Sequence, residues 1–147
     1  MDKAAASAGG VAEGGRGAAG GGIDIAELEA GDPRPTPYVV KPVSEGSSVG
    51  VSIVRPGTNM RARIVREWTF GPQALVEEFI PGREITVRVM GKRALTVTDI
   101  TPTVHGHDFY DYDAKYNAGG SRHELPARIA PDVAQRALDV AVAAHEA

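Results

Sequence analysis

The sequence predicts an α+β fold, mostly antiparallel sheet with hairpins and a C-terminal helix. Two β-branched or aromatic runs, Tyr38 to Lys41 and Val51 to Val54, flank a loop of small residues. A second pair of runs, Glu84 to Met90 and Ala94 to Thr101, is separated only by Gly91-Lys92. Near the C-terminus Val133, Ala137, Val140, Ala141 and Ala144 recur at helical spacing. Strands outnumber helices, and the hairpins point to an antiparallel α+β sheet.

In chain order, Ala4 to Gly22 is almost entirely Ala, Gly and Ser, and nine of the eighteen glycines precede residue 32. Such a segment has little apolar area to offset the entropy of ordering it. Pro33, Pro35 and Pro37 forbid a helix and favour an extended linker. The expected division is therefore a flexible Ala/Gly-rich stretch with a Pro-rich linker over 1–36 and one folded domain over 37–147. Tyr38 to Lys41 reads as a strand ending at Pro42, and Val51 to Val54 as its return. Arg55-Pro-Gly-Thr58 is turn chemistry, and Met60 to Trp68 a short helix. Ala74 to Ile80 is a strand broken by Pro81-Gly82. In Glu84 to Met90, Ile85, Val87 and Val89 share one face, and Gly91-Lys92 has the Gly-first form of a type II′ turn. Thr103 to Gly120 is polar and aromatic without a period, hence a loop. Pro131 suits the first turn of a helix running to Ala147.

Bulk properties exclude several functions. A net charge of −3 without a dense basic run argues against a nucleic-acid or acidic-membrane partner. No cysteine means no disulfide and no thiol chemistry. No apolar run approaches the roughly 20 residues of a membrane helix, and the N-terminus lacks the pattern of a secretory signal. The expectation is a soluble, cytoplasmic protein.

Three stretches carry candidate chemistry. In Glu45-Gly-Ser-Ser-Val-Gly50 the glycines Gly46 and Gly50 allow positive φ and close approach, while Ser47, Ser48 and backbone N–H groups can surround phosphate oxygens. It is not a Walker loop, and a plain β-turn is the alternative. Lys41 sits in an otherwise Tyr-Val-Val strand. A phosphate would be one natural partner for it, and an exposed edge-strand position is the other reading. In Val76-Glu-Glu-Phe-Ile80, Phe79 and Ile80 offer apolar faces to a purine and Glu77 a partner for its edge. Glu84 could accept from ribose hydroxyls. The alternative is an ordinary half-buried strand. Phe109-Tyr-Asp-Tyr-Asp-Ala-Lys-Tyr116 holds three tyrosines in eight residues. There Lys115 could reach a γ-phosphate and Tyr116 orient a small substrate, or the tyrosines could simply pin a loop to the core. His105-Gly-His107-Asp108 has superficial metal spacing but no evident third and fourth ligand, and reads as a solvated loop.

In this order and spacing, Val-Lys-Pro, Glu-Gly-Ser-Ser-Val-Gly and Tyr-Asp-Tyr-Asp-Ala-Lys-Tyr resemble the D-alanine–D-alanine ligases of the ATP-grasp superfamily, over roughly Tyr38 to Ala147. Met1-Asp2-Lys3 is similar to the Met-Asp-Lys that opens the family's central domain. The resemblance implies a partial ATP-grasp domain that binds ATP. Lys41 and Lys3 would contact phosphates, and the Glu45, Gly46, Ser47, Ser48 loop would cover them, with Ser47 near substrate. Glu77, Glu78, Phe79 and Ile80 would line the adenine pocket, with Phe109 packed on the base, and Glu84 would hold the ribose. Lys115 would touch the γ-phosphate, and Tyr116 would hydrogen-bond with Ser47 across the substrate site.

The implied reaction joins two D-alanines through an acyl phosphate, for peptidoglycan synthesis. Mg²⁺ or Mn²⁺ acts in the complete enzyme, and a homodimer is common. The family's N-terminal domain, with a glutamate for the first substrate's ammonium, has no counterpart here. The segment supplying acidic and Asn metal ligands and an arginine is expected beyond Ala147, so no metal ligand is assigned within the chain. The resemblance thus implies a fragment that is inactive alone. The alternatives are another ATP-grasp carboxylate–amine ligase or a non-catalytic nucleotide-binding remnant. D-lactate and D-serine stay open as second substrate.

Overall fold

The computed structural model describes residues 17–103 and 120–146. These divide into two compact units, 17–81 and, in the second, 82–103 with 120–146.

The first unit is a four-stranded antiparallel sheet of order β1-β4-β2-β3: β1 (Gly20–Asp24), β2 (Tyr38–Pro42), β3 (Ser52–Val54) and β4 (Gln73–Glu78). Alternation along β2 buries Tyr38, Val40 and Pro42 on one face. Opposite them in register stand Val54 of β3 and Val76 and Ala74 of β4. Two short helices, α1 (Glu27–Ala30) and α2 (Met60–Glu67), close this face with Leu28 and Ile64 to complete the core. The expected helix after the 55–58 turn is therefore present. Its exposed side carries an Arg63–Glu67 pair one turn apart, and its buried side carries Ile64.

The expectation of a flexible stretch over 1–36, with a boundary at residue 37, does not hold for residues 17–36. Gly20 to Asp24 pairs residue for residue with Glu77 to Gln73. Glycine is required by that pairing at Gly20, where a Cβ would lie 2.3 Å from the Val76 carbonyl oxygen, whereas at Gly21 it would meet nothing within 4 Å. The Pro-rich segment is also tied down. Asp32 accepts a hydrogen bond from the Tyr38 hydroxyl at 2.8 Å. It also pairs with Arg61 at 3.0 Å, and Arg61 in turn donates to the Leu28 carbonyl.

The second unit is a three-stranded antiparallel sheet, β5 (Glu84–Met90), β6 (Arg93–Pro102) and β7 (Ser121–Glu124), with α3 (Pro131–Glu146) packed on β5 and β6. Met90 pairs with Arg93, so Gly91-Lys92 is the two-residue turn expected, and Gly91 takes φ +60°. Strand β7 falls where no strand was expected. The helix begins at Pro131 as anticipated, but its inward face is rotated. Val133 and Val140 are exposed, while Ala134, Ala137, Leu138, Ala141 and Val142 are the half-buried positions. Two apolar stripes adjoin on this Ala-rich helix, and the one containing Leu138 and the small alanines lies closest to the sheet.

Candidate nucleotide site

The face of the first sheet opposite the core carries the sequence-predicted residues that come together. Val39 and Lys41 of β2 point to it, since their neighbours Tyr38, Val40 and Pro42 point to the core. Register places Val39 opposite Glu77 and Lys41 opposite Leu75. Lys41 and Glu77 are thus diagonal neighbours, and the Lys41 ammonium meets the Glu77 carboxylate at 2.5 Å, with both side chains mostly buried. The lysine does need a partner, as its apolar strand implied, and Glu77 is that partner within the protein. An ammonium has three donors, of which Glu77 takes one. On the same face, β1 places Gly20 and Gly22 opposite Glu77 and Leu75, so the edge strand adds no side chain there.

Alternation sends Glu78 to the other face, opposite Tyr38 and exposed. Only Glu77 of the two carboxylates therefore shares a face with Lys41. Phe79 is half-buried, with the Arg55 guanidinium 5.4 Å from its ring centroid. Ile80 is 62 % exposed.

The loop leaves β2 directly after Lys41-Pro42. Backbone hydrogen bonds from Val49 to the Gly46 carbonyl and from Val51 to the Ser48 carbonyl fold it into two successive turns. Gly50 has the positive φ expected of it, +68°, but the second left-handed residue is Ser47 at +54°, not Gly46. A serine in that region is sterically costly and marks a loop held by its surroundings. What holds it is an aromatic that the sequence did not single out. A Cβ on Gly50 would lie 2.6 Å from Phe70 and 2.7 Å from Pro42, so Phe70 seats the loop's end on Pro42 through the glycine. Phe70 is braced edge-on by Trp68, whose indole N–H donates to the Gly71 carbonyl. Glu45, Gly46 and Ser47 are exposed at the tip, and Ser48 is buried.

On the second unit, Glu84 is the first residue of β5, half-buried and opposite Ile100. Lys3, Phe109, Lys115 and Tyr116, together with the His105–Asp108 stretch, lie outside the described residues. Among the described residues no three His, Cys, Asp or Glu side chains are grouped to hold a metal ion.

Residues 32–147 match the protein family described as "D-ala D-ala ligase C-terminus". The chain belongs to this ligase family. A D-alanine–D-alanine ligase of Granulibacter bethesdensis is 56 % identical over the whole chain, which covers 47 % of that protein. One of Gluconobacter oxydans is 60 % identical over 84 % of the chain and 41 % of its own length. The chain thus spans less than half the length of these ligases. Among solved structures, the VanG D-Ala:D-Ser ligase of Enterococcus faecalis superposes with a TM-score of 0.75 at 28 % identity, over 99 % of this chain and 44 % of that one. A Bacillus anthracis D-alanine–D-alanine ligase complexed with ATP superposes with 0.66 at 25 % identity, over 99 % and 47 %. The mixed α+β architecture with antiparallel sheets and a C-terminal helix is that of the ligase family's ATP-grasp domain. No helix among the described residues is long and apolar enough to cross a membrane.

Proposed function

We propose that this chain carries nucleotide contacts of an ATP-dependent D-alanine–D-alanine ligase, working in the cytoplasm for peptidoglycan synthesis. The observation that carries the reading is the Lys41–Glu77 pair, held at 2.5 Å on the sheet face at the foot of the Glu45–Gly50 loop. A partly buried cation at the base of a loop rich in hydroxyls and backbone N–H groups suits a polyphosphate. Lys41 directs its remaining donors to phosphate oxygens, and Ser47 and Ser48 lie over them. Glu77 accepts from the adenine edge while orienting Lys41. Phe79 and Ile80 supply apolar surface for the base, Glu78 contributes through its main chain, and Glu84 accepts from ribose hydroxyls. Phe109, Lys115, Tyr116 and Lys3 take the base, γ-phosphate, substrate and phosphate roles that the family resemblance gives them.

In this reaction the carboxylate oxygen of the first D-alanine attacks the γ-phosphorus, the bond to the β–γ bridging oxygen breaks, and ADP leaves. The amine of the second D-alanine attacks the acyl phosphate carbon and expels inorganic phosphate, losing a proton as the amide forms. Phosphoryl transfer of this kind depends on positioning and on neutralising charge, which is the work assigned to Lys41 and the loop. The reading of D-alanine as second substrate is supported by the relatives 56 % and 60 % identical, which are D-alanine–D-alanine ligases.

Calorimetric titration of the chain with ATP in magnesium-containing buffer tests the nucleotide assignment. Lys41→Ala is expected to weaken binding at least about tenfold, or about 1.4 kcal/mol. Equal affinity of the two proteins would overturn it.

A further inference from the structure

The return arm of the Glu45–Gly50 loop is seated on an aromatic shelf built by the segment after α2. The β2–β3 ladder ends where Val40 faces Ser52, so Lys41 and Pro42 continue beside β4 while residues 43–51 run outside the ladder. There Gly50 lies close against both the Phe70 ring and the Pro42 ring. A Cβ on it would fall 2.6 Å from Phe70 Cε2, 2.7 Å from Pro42 Cγ and 2.8 Å from Phe70 Cζ. Filled space on that side of residue 50 sets how closely the returning backbone approaches β2.

The shelf is itself tied down within the first unit. Trp68 packs on the hydrophobic core and meets the Phe70 ring edge-on, with centroids 5.1 Å apart and planes at 79°. Its indole N–H donates to the Gly71 carbonyl at 2.7 Å. The Pro72 carbonyl accepts from the Ile25 N–H at 2.8 Å, just past the end of β1. Phe70 is thus held between a residue fixed to the core and one fixed to the sheet edge. From Gly50 the loop continues through the Val51-to-Ser48 and Val49-to-Gly46 backbone bonds. The placement of residue 50 is passed through these two turns to Ser48 and Ser47.

We propose that Phe70 is a positioning residue for the phosphate loop, setting Ser47, Ser48 and their backbone N–H groups over the phosphates through its contact with Gly50. The proposal rests on the reading of that loop given above. Its test is the preference for ATP over adenosine, measured by calorimetry on the full chain in magnesium-containing buffer, with adenosine titrated in competition with ATP. The two ligands share base and ribose and differ only in the triphosphate. Their ratio cancels any change in the folded fraction, so a purely structural role of Phe70 leaves it unmoved. Lys41→Ala is expected to cut the preference by about tenfold, the scale of a charge-assisted hydrogen bond. Phe70→Ala is expected to cut it by about threefold, the scale of a loosened neutral one, while affinity for adenosine stays within about twofold. Phe70→Leu, which keeps apolar volume but not the ring that Trp68 braces, should fall between, and it carries the same comparison if Phe70→Ala does not fold. A preference unchanged by both Phe70 substitutions, with Lys41→Ala lowering it, overturns the positioning role alone. A parent chain that binds ATP no better than adenosine overturns the phosphate reading of the loop and this proposal with it, and so does one that binds neither.

Discussion

Tyr38 is fully buried, yet its hydroxyl is a polar group that must be satisfied, and Asp32 accepts its proton at 2.8 Å. Burial first, and the carboxylate next to it second, push the phenol well above its usual range. The consequence for stability has a definite sign. Below pH about 10, the ordinary tyrosine value, both folded and unfolded chains keep this proton and the contribution of the contact is complete. Above it the unfolded chain gives up the proton and the folded chain does not. Stability therefore falls as pH rises, by up to about 1.4 kcal/mol per pH unit for this one group. Urea denaturation at successive pH values between 9 and 11 should show this alkaline decline, and Tyr38→Phe should show a shallower one. Parallel declines would mean that Tyr38 titrates as freely in the folded chain as in the unfolded one. Residues of this kind were only partly legible. Lys41 stood out because a cation in an apolar run needs a partner, although its partner in the protein is a carboxylate on the neighbouring strand. Gly50 stood out as a site for positive φ because it is glycine. The Arg83–Asp99 pair, with Nη2 2.7 Å from Oδ2, did not stand out, because nothing in a spacing of 16 residues marks two opposite charges as neighbours. Only the β5–β6 register does so.

At the level of elements, what could be read was what is local. The β5–β6 hairpin announces itself by alternation and a Gly-first turn, and β2 and β3 by β-branched residues on either side of a loop. Strand β1 has no such signal, because Gly20, Gly21 and Gly22 present no side chains to alternate. Its strand character comes from the edge of β4, which offers hydrogen-bonding partners and leaves no room for a Cβ at one position. Strand β7 is likewise made a strand by β6 rather than by Ser-Arg-His-Glu. The two glycines at the start of β1 should therefore respond differently to the same change. At Gly20 an added methyl lies 2.3 Å from the Val76 carbonyl oxygen and 2.7 Å from Glu77 Cγ. At Gly21 it meets nothing within 4 Å. Gly20→Ala should lose about 1–3 kcal/mol, the usual penalty of forcing atoms into a filled space, with faster amide exchange along Gly20–Asp24 and Gln73–Glu78. Gly21→Ala should stay within about 0.5 kcal/mol of the parent. Equal losses at the two positions would show that the pairing is not close enough to select glycine.

For the molecule as a whole, a net charge of −3 gives no long-range attraction for a polyanion such as ATP. Affinity for it must come from a few local groups, and the described part of the first sheet puts that burden on Lys41 and the loop that follows. A ligand that binds only the folded chain stabilises it by mass action, so the assignment has a thermal signature. At an ATP concentration about a hundredfold above its dissociation constant the gain is about 2.7 kcal/mol. If Lys41→Ala weakens binding tenfold, the same ATP concentration is only about tenfold above the new constant, and the gain drops to about 1.4 kcal/mol. Thermal melts of parent and variant, each with and without that concentration of ATP, should therefore show a rise in midpoint that is roughly halved in the variant. Because each protein serves as its own reference, any intrinsic loss from leaving Glu77 without its ammonium cancels from the comparison. Identical rises would place the nucleotide's charge on groups other than Lys41. No rise in either protein would mean that the folded chain does not hold ATP at all.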